Sequence, residues 1–549
     1  VVTDTNRRQG RRWGSVREND GYTERVGEEP LDPDPADNRL EKFPGAADDS
    51  FTVTEQRGGA TLSASAYGNP VSYTPADRAA RAMDGDPSTA WRVGAFDEPR
   101  GEFLQVELDD PLTASELTIL QRQPPANRWI TEVEMSFDGG EPEAVGLDES
   151  SLSEPGQTIG FGERTFETLR ITITETNIGV LDRYIGISDV GIAELRIPGA
   201  GPVTEVVRPP TDLLTAAGSG SIDHPVSYVF TRRSSDPAEV VTSDEEDTML
   251  RLVQAPVERR YTVFGSSRVA ADASEALIDS TIGMAGAEAG AVTATSSHRL
   301  AGDPRSRAAS ALDGDPTTAW QTPVNGAVGS SIEVDSATPF DLEDPEILVR
   351  NDGLHSLPTA LLVSVDGGEA ELVELATPAV ADRTVAEYGT TERIKVPFRA
   401  SDVNELRIEV AGVAGASSLD WFSGNPTQLP VAVAELGLSA QVAVPDDSTP
   451  LPAECRGDLL SIDGDPVPVR IAGTVGDYLD GDLMELTGCE EVGIGAGETL
   501  LASNPGTGTG FEIEPVSYTH LRDHETYLLI SYAVICLKTG GGGGGGGGG

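Results

Sequence analysis

The stretch Ala82-Met-Asp-Gly-Asp-Pro-Ser-Thr-Ala-Trp91 recurs as Ala311-Leu-Asp-Gly-Asp-Pro-Thr-Thr-Ala-Trp320. An acidic turn, a threonine and a tryptophan keep the same spacing in both copies. Further matches follow in the same order in both halves, namely Ser136-Phe-Asp-Gly-Gly140 with Ser364-Val-Asp-Gly-Gly368, Leu169-Arg-Ile171 with Leu406-Arg-Ile408, and Ala193-Glu-Leu195 with Ala434-Glu-Leu436. Ordered self-similarity of this extent predicts two homologous structural units.

Within each unit, apolar and polar residues alternate. Examples are Glu116-Leu-Thr-Ile-Leu120 and Glu132-Val-Glu-Met-Ser-Phe137. A period of two residues is typical of half-buried β-strands. Asp138-Gly139 and Asp366-Gly367 predict tight hairpin turns, because glycine tolerates positive φ. No long stretch with a helical period competes, so we predict an all-β chain built on antiparallel sandwiches.

Acidic residues dominate the charge of the chain. Asp and Glu number 90 against 39 Lys and Arg, which gives a net charge of −51. Such a chain repels phosphate backbones, so we expect no nucleic-acid partner, and it attracts cations. The alternative is that the acidic residues only keep the protein surface soluble. No run of about 18 apolar residues occurs, so the sequence predicts no segment that spans a bilayer.

The repeated Ala-x-Asp-Gly-Asp-Pro-x-Thr-Ala-Trp string and the closing Ala-Glu-Leu resemble the discoidin, or F5/8 type C, family. The resemblance implies tandem jelly-roll β-sandwiches with ligand-binding loops at one end; members of the family commonly bind glycans, and some bind phospholipid. It covers residues 62–198 and 292–440. The remaining residues divide into an N-terminal extension (1–61), a β-rich connecting segment (199–291) and a small β-domain (441–515).

Four further stretches resemble the extracytoplasmic part of cell-envelope α-(1→3)-arabinofuranosyltransferases. They are Val2-Thr-Asp-Thr-Asn-Arg-Arg8, Gly21-Tyr-Thr-Glu24, Cys455-Arg-Gly-Asp-Leu-Leu460 and Pro466-Val-Pro-Val-Arg470. In that family a multi-pass glycosyltransferase module precedes a periplasmic region with tandem carbohydrate-binding modules. The resemblance implies a non-catalytic, extracytoplasmic fragment of such an enzyme that contacts arabinan-type cell-wall polysaccharide and joins the membrane through spans outside this sequence. The alternatives are tandem carbohydrate-binding modules of a secreted glycoside hydrolase or adhesin, and structural docking modules that bind no sugar.

The two Asp-Gly-Asp turns are candidate cation sites. Calcium takes six to eight oxygen ligands in flexible geometry, and a glycine turn can direct neighbouring carboxylates and carbonyls at one point. The family resemblance brings a glutamate from the last strand back to each turn. The predicted structural Ca²⁺ ligands are Asp84, Asp86, Thr89 and Glu194 in the first unit and Asp313, Asp315, Thr318 and Glu435 in the second. The alternative is an Asx-type turn that only holds the following tryptophan.

Aromatic and polar residues in the longer loops are the candidate glycan contacts. Flat aromatic faces suit the C–H faces of sugars, and polar side chains can satisfy hydroxyl groups. The candidates are Arg92, Arg128, Trp129, Arg183 and Tyr184 in the first unit and Gln321, His355, Trp421 and Phe422 in the second. The alternative for each is a side chain that is buried or simply exposed. Trp91 and Trp320 are predicted to be core anchors.

No arrangement typical of a catalytic centre occurs in the sequence. His224, His298 and His355 lie far apart, without the spacing of a zinc site or a triad, and no glycine-rich phosphate loop is present. The isolated pair Cys455 and Cys489 predicts one disulfide in an oxidising compartment, with two unpaired buried thiols as the alternative.

Residues 516–549 break the pattern of the rest of the chain. Val516-Ser-Tyr-Thr-His-Leu-Arg-Asp-His-Glu-Thr526 resembles a translated sequencing-library adapter, and the chain ends in a run of glycines. We interpret this tail as non-biological and exclude it from the prediction of the fold.

Overall fold

The computed structural model describes residues 1–10, 20–28, 31, 45–68, 73–123, 127–177, 188–233, 245–286, 290–419 and 426–519. The first strands are β1 (Val2–Thr3), β2 (Val53–Arg57), β3 (Ala60–Ala64), β4 (Trp91–Val93), β5 (Phe103–Gln121), β6 (Ile130–Phe137), β7 (Glu143–Gly146), β8 (Gln157–Thr176), β9 (Val190–Arg196), β10 (Thr204–Arg208), β11 (Tyr228–Thr231), β12 (Leu250–Ala255) and β13 (Arg259–Val269). They continue with β14 (Thr293–Ser296), β15 (Trp320–Gln321), β16 (Ser331–Glu343), β17 (Glu346–Arg350), β18 (Leu357–Val365), β19 (Glu371–Glu374), β20 (Thr391–Lys395), β21 (Arg399–Ala414), β22 (Ser417–Leu419), β23 (Pro426–Gln428) and β24 (Ala432–Glu435). The last are β25 (Arg456–Ile462), β26 (Asp465–Ala472), β27 (Met484–Gly488), β28 (Val492–Ile494), β29 (Gly497–Ser503) and β30 (Phe511–Thr519).

The α-helices are short and lie between strands. They are α1 (Asp212–Ala217), α2 (Gly220–Asp223), α3 (Glu275–Thr281), α4 (Val475–Leu479) and α5 (Gly506–Thr509). In the described ranges, none of them has the length and apolar character that a membrane crossing requires.

The first module is an antiparallel jelly-roll sandwich. Its strands run in the order β4-β9-β5-β8-β6-β7, with β3 beside β5. The long strands β5 and β8 pair along most of their length, but their register breaks between Glu107 and Leu112. β3 pairs with the N-terminal half of β5, and β9 pairs with the C-terminal half of β5. The long strand β5 therefore contributes to both layers of the sandwich. The two layers enclose one core that contains Trp91.

The second module repeats this arrangement with interrupted long strands. One sheet has the order β14-β16-β21-β18-β19 and the other β15-β24-β17-β20. Trp91 pairs with Ile192 of the last strand of its module, and Trp320 pairs with Val433 of its own. Both tryptophan side chains are buried, as the sequence predicts for core anchors. The predicted all-β fold with tandem jelly-roll sandwiches is thereby confirmed.

Three separated segments of the chain form a third unit, which we call the frame domain. Its single sheet has the order β1-β11-β30-β13-β27-β26-β25-β29-β12-β10-β2, with β28 beside β13, and it has its own apolar core. The sequence divides these residues into the segments 1–61, 199–291 and 441–515, whereas the sheet joins strands from all three. Alternating patterns identify strands but do not specify which strands pair across large sequence separations. The disulfide between Cys455 and Cys489 lies within this domain.

The last strand of the frame domain reaches into the adapter-like tail. Val516 pairs with Phe230 and Tyr518 pairs with Tyr228, and both tail residues are buried. Ser517 and Thr519 are buried as well, so this part of the strand is covered on both faces. Residues 520–549 lie outside the described residues.

Candidate functional site

The acidic turn of the first module is closed by the last strand of the sandwich. Glu194 on β9 accepts a hydrogen bond from the amide of Gly85 at 2.9 Å. Gly85 has a φ of 87°, a conformation that glycine adopts at no steric cost. Asp84 accepts hydrogen bonds from the Thr89 hydroxyl at 2.8 Å and from the Asp86 amide at 3.0 Å. The four residues predicted as metal ligands therefore lie together around one turn.

The second module repeats this turn. Asp313 accepts hydrogen bonds from the Thr318 hydroxyl at 2.8 Å and from the Asp315 amide at 2.9 Å. Glu435 lies close to Gly314 and Asp313 of the turn. Its Oε1 atom is buried and has no hydrogen-bond partner among the described residues. This turn therefore holds a buried oxygen that is available to a ligand.

Each turn places two carboxyl groups close together in a partly buried position. Burial, followed by the nearby charge of Asp84, raises the pKa of Glu194 to about 7. Burial also raises the pKa of Asp84. Burial and the charge of Asp313 raise the pKa of Glu435 in the same way. A bound divalent cation would offset both the burial and the repulsion between the carboxylates.

The remaining acidic residues of the turns make local contacts. Asp86 accepts hydrogen bonds from the amide and hydroxyl of Ser88, and Asp315 from those of Thr317, which is the geometry of an Asx turn. In the ranges described above, no group of three or more His, Cys, Asp or Glu side chains is arranged to hold a metal ion. In the first turn Arg81 donates to Asp84 at 3.2 Å, and the Nε of Arg196 lies 3.8 Å from Glu194. Each turn nevertheless contains two carboxyl groups, a threonine hydroxyl and backbone carbonyls, which are the oxygen ligands that calcium takes.

Loops of the first module meet at one end of the sandwich. The side chain of Asn177 accepts a hydrogen bond from the amide of Trp129 at 2.8 Å, which joins the loop after β8 to the loop before β6. Arg128 donates to the carbonyl of Asp97 at 2.8 Å and also to that of Gly94, which joins the loop after β4 to the same end. Arg128 is only 2% exposed. The expectation that Arg128 touches a ligand is therefore corrected, because its guanidinium is enclosed and holds a loop.

Arg92 lies among charged side chains at this end of the module. Its Nε is 3.8 Å from Asp77 and 3.9 Å from Asp189, and the Nε of Arg122 is 3.4 Å from Asp189. Burial raises the pKa of Asp77 to about 7, while Arg92 lowers it and Asp189 raises it. At this end of the module the positive charges of two arginines lie next to two aspartates. Sequence reasoning identifies Arg92 alone, because the other three belong to separate loops.

The second module carries a chain of hydrogen-bonded polar groups at the corresponding end. Gln321 follows the buried tryptophan as Arg92 does in the first module. The Nε2 of His355 is 3.1 Å from the Oε1 of Gln321, and its Nδ1 is 2.8 Å from Asp352. Gln321 also donates to the hydroxyl of Ser306 at 2.9 Å. The structure therefore brings the two predicted contact residues Gln321 and His355 together.

An exposed aromatic ring lies beside this polar chain. Asp352 accepts a hydrogen bond from the amide of Gly389 at 3.0 Å, which fixes the loop between β19 and β20. In that loop Tyr388 is 75% exposed, and its ring centroid lies 5.9 Å from the guanidinium of Arg350. Sequence reasoning missed Tyr388, since nothing in the local sequence connects its loop to Asp352.

Four predicted contact residues lie outside the described residues. They are Arg183, Tyr184, Trp421 and Phe422. Of the remaining candidates in the first module, Trp129 is half-buried and Arg92 is partly exposed.

The chain is similar in sequence to two curated arabinofuranosyltransferases, whereas no family model matches it. It is 24% identical over 463 residues to the α-(1→3)-arabinofuranosyltransferase of Mycolicibacterium smegmatis, an alignment that covers 79% of this chain and 30% of the relative. It is 24% identical over 455 residues to the enzyme of the same name from Mycobacterium tuberculosis, with coverage of 79% and 31%. The chain thus spans less than a third of the length of the curated relatives that it matches.

A larger solved structure shares the fold of this chain. The cryo-EM structure of arabinofuranosyltransferase AftD from mycobacteria aligns with a TM-score of 0.69 and 20% identity over 96% of this chain and 40% of that one. The family 32 carbohydrate-binding module from Clostridium perfringens NanJ, in complex with galactose, aligns with 25% of this chain and 92% of its own, with 23% identity and a TM-score of 0.20. The likeness to AftD shows that the two modules and the frame domain together form a fold found within that larger protein.

Proposed function

We propose that this chain is the extracytoplasmic carbohydrate-binding region of a cell-envelope arabinofuranosyltransferase and that its modules hold or guide arabinan. The sequence similarity to two such enzymes over 79% of the chain supports the parent enzyme. The observation that carries the binding role is the exposed ring of Tyr388, whose loop is held by the buried Asp352. Asp352 also bonds the buried His355, which in turn holds the half-buried Gln321.

The chemistry of this surface suits a neutral sugar. His355 is only 5% exposed, and its two ring nitrogens bond Asp352 and Gln321, so it holds Gln321 in place and does not face a ligand. The half-buried amide of Gln321 combines a donor and an acceptor, which suits a sugar hydroxyl. The exposed ring of Tyr388 can cover the apolar face of a sugar ring. Arabinan carries hydroxyl groups and C–H faces, so it matches a surface that offers an exposed aromatic ring and an amide.

The chain itself carries no catalytic role in this proposal. The transfer of arabinofuranose would take place in the part of the relatives that this chain does not cover, and membrane attachment would come from segments outside this sequence. A disulfide between Cys455 and Cys489 is compatible with an extracytoplasmic location, because such compartments are oxidising.

Calcium would stabilise both modules. In this proposal Asp84 and Glu194 hold one ion and Asp313 and Glu435 hold the other. Thr89, Thr318 and carbonyls of the turns, including those of Asp86 and Asp315, complete the oxygen ligands. When bound, the ion would fasten an early turn of each module to its last strand, which is a structural role.

A structural role without sugar binding is the second candidate, and one contact favours it. Arg305 of the second module donates to Asp480 of the frame domain at 2.5 Å and to Asp447 at 3.1 and 3.2 Å. Modules docked in this way could serve only to pack against other parts of a parent protein. That function predicts an intact fold and no affinity for any glycan.

Isothermal titration of the full chain with an arabinofuranosyl oligosaccharide distinguishes the two candidates. We expect binding by the natural chain, and about tenfold weaker binding at the second module in the variants Gln321→Ala and Tyr388→Ala. Leu372→Ala is the matched control, since Leu372 is 56% exposed on β19 and lies outside the polar chain. The absence of binding by the folded natural chain, or equal affinity in all three variants, would refute the proposal.

A further inference from the structure

The junctions of the two modules with the frame domain are filled differently. At the second junction, Met284 and Val444 pack against both the core of the module and the core of the frame domain. At the first junction, no apolar side chain of the described residues packs against both cores. A cavity of about 270 Å³ lies there instead, between the 3₁₀ helix Ala79–Ala82, β10 and residues 245–251. The repeat thus shows that such a junction can be closed by apolar side chains, whereas the first one is left open.

Two arginines in the wall of this cavity keep N–H groups that no protein atom uses. Arg78 donates through Nε to Glu205 at 2.5 Å and through Nη1 to the carbonyl of Pro75 at 2.9 Å, so its Nη2 has no hydrogen-bond partner among the described residues. The Nε of Arg81 is buried and also lacks a partner in that part of the chain. The great majority of buried N–H groups in folded proteins are hydrogen-bonded. These donors are therefore available to a molecule inside the cavity.

Hydroxyl groups and apolar side chains complete the wall of the cavity. Thr54, Thr204 and Thr248 line it, and their hydroxyls form no hydrogen bond within the ranges that the structure describes. Each hydroxyl can both donate and accept. The half-buried Leu250 and the exposed Pro505 add apolar atoms. A wall that combines donors, acceptors and apolar atoms suits a molecule with several hydroxyl groups and C–H faces.

The charged groups around the cavity are already paired with one another. Arg81 lies 2.6 Å from Asp247 and 3.2 Å from Asp84. Arg251 donates to Glu246 at 2.8 Å. An anionic ligand would have to compete with these carboxylates, which outnumber the arginines in the wall. An uncharged molecule leaves the ion pairs intact, so the wall favours a neutral ligand.

From these observations we infer that the cavity at the first junction binds one unit of a neutral saccharide. Its volume of about 270 Å³ lies just below the roughly 300 Å³ at which pockets for drug-sized ligands begin, which suits a single sugar ring or a chain end. The inference rests on the proposed function for the identity of the glycan. It concerns a place away from the loop ends, where one sugar unit would contact the first module and the frame domain at once.

Isothermal titration of the full chain with an arabinofuranosyl oligosaccharide tests the inference. We expect two binding sites in the natural chain and the loss of one of them in Thr204→Phe, which places an aromatic ring in the cavity. Tyr388→Ala should weaken the other site. Thr113→Phe is the matched control and should retain both sites, because Thr113 is exposed on β5, outside the cavity wall.

The smaller variant Thr204→Val keeps the shape of the side chain and removes only its hydroxyl. We expect it to weaken one site about fivefold, as the loss of one hydrogen bond predicts. Melting temperatures show whether each variant keeps the fold. If Thr204→Phe lowers the melting temperature, Thr204→Val decides the matter, and natural affinity at both sites in Thr204→Val would then overturn the inference.

The outcomes separate this inference from the proposed function. If a folded Thr204→Phe keeps both sites, or if Thr113→Phe loses the same site, the cavity binds no sugar and the inference fails alone. A single site that only Tyr388→Ala weakens also refutes the inference and leaves the proposed function standing. A single site that only Thr204→Phe removes supports the cavity and refutes the proposed site in the second module. If the natural chain binds no sugar, both fail.

Discussion

Arg307 stands in the second module at the position that Arg78 holds in the first, and each is buried against a carboxylate of the frame domain. Arg307 donates to Asp279 at 2.7 Å, and Arg78 donates to Glu205 at 2.5 Å. Each arginine directly precedes the short 3₁₀ helix that leads to the acidic turn. The internal repeat therefore includes the contact by which each module attaches to the frame domain.

Removal of Arg307 should destabilise the chain strongly. The side chain of Arg307 is 2% exposed, so Arg307→Ala leaves the carboxylate of Asp279 largely buried without its partner. We expect a loss of about 3 to 5 kcal/mol in the free energy of unfolding measured by urea denaturation. Arg399→Ala is the control in the same module, because Arg399 is 74% exposed and pairs with Asp344 at 2.7 Å. We expect Arg399→Ala to lower the free energy of unfolding by less than about 1 kcal/mol. Equal losses in the two variants would contradict the docking role of Arg307.

Removal of calcium should lower the melting temperature. A ligand that binds only the folded chain stabilises it by about 2.7 kcal/mol at a hundredfold excess over its dissociation constant. Differential scanning calorimetry with excess chelator, followed by return of Ca²⁺, checks the effect. Asp84→Asn should remove the response of the first module. Identical melting curves with and without chelator would exclude the proposed ions.

Asp77 should make stability fall as pH rises. Burial raises its pKa in the folded chain to about 7, against an ordinary value near 4, so between these values the folded state holds a proton that the unfolded state has lost. The contribution of the Asp77 carboxyl to the free energy of unfolding is therefore fully present below about pH 4 and is lost as pH rises through about 7. Urea denaturation measures the free energy of unfolding at pH 5 and at pH 8. We expect this free energy to fall between the two pH values by on the order of 1 to 3 kcal/mol less in Asp77→Asn than in the natural chain. The same pH dependence in both proteins would show that Asp77 is ionised in the folded state.

The modules could be predicted because their determinants are local. The acidic turn and the tryptophan form one short motif, and the structure buries Trp91 and Trp320 at equivalent places. The frame domain could not be predicted in this way. Val2 pairs with Tyr228, and β30 lies between β11 and β13, so its sheet depends on contacts between distant parts of the chain.

The candidate contacts were predicted by residue type, and burial decides which of them can serve. Arg128 has the chemistry of a sugar contact, but the loop after β4 encloses it. Tyr388 is exposed only because of a loop conformation that no sequence pattern specifies. The sequence predicts Gln321 and His355 as separate contacts. Their mutual hydrogen bond depends on how two segments that are distant in the sequence pack together.

A cryo-EM or crystal structure of the chain in complex with an arabinofuranosyl oligosaccharide tests glycan recognition most directly. We expect the sugar at the loop end of the second module, against the ring of Tyr388 and within hydrogen-bond distance of Gln321. A complex in which the sugar lies only on the frame domain, with both loop ends free, would contradict the assignment of the modules as the glycan-binding surfaces.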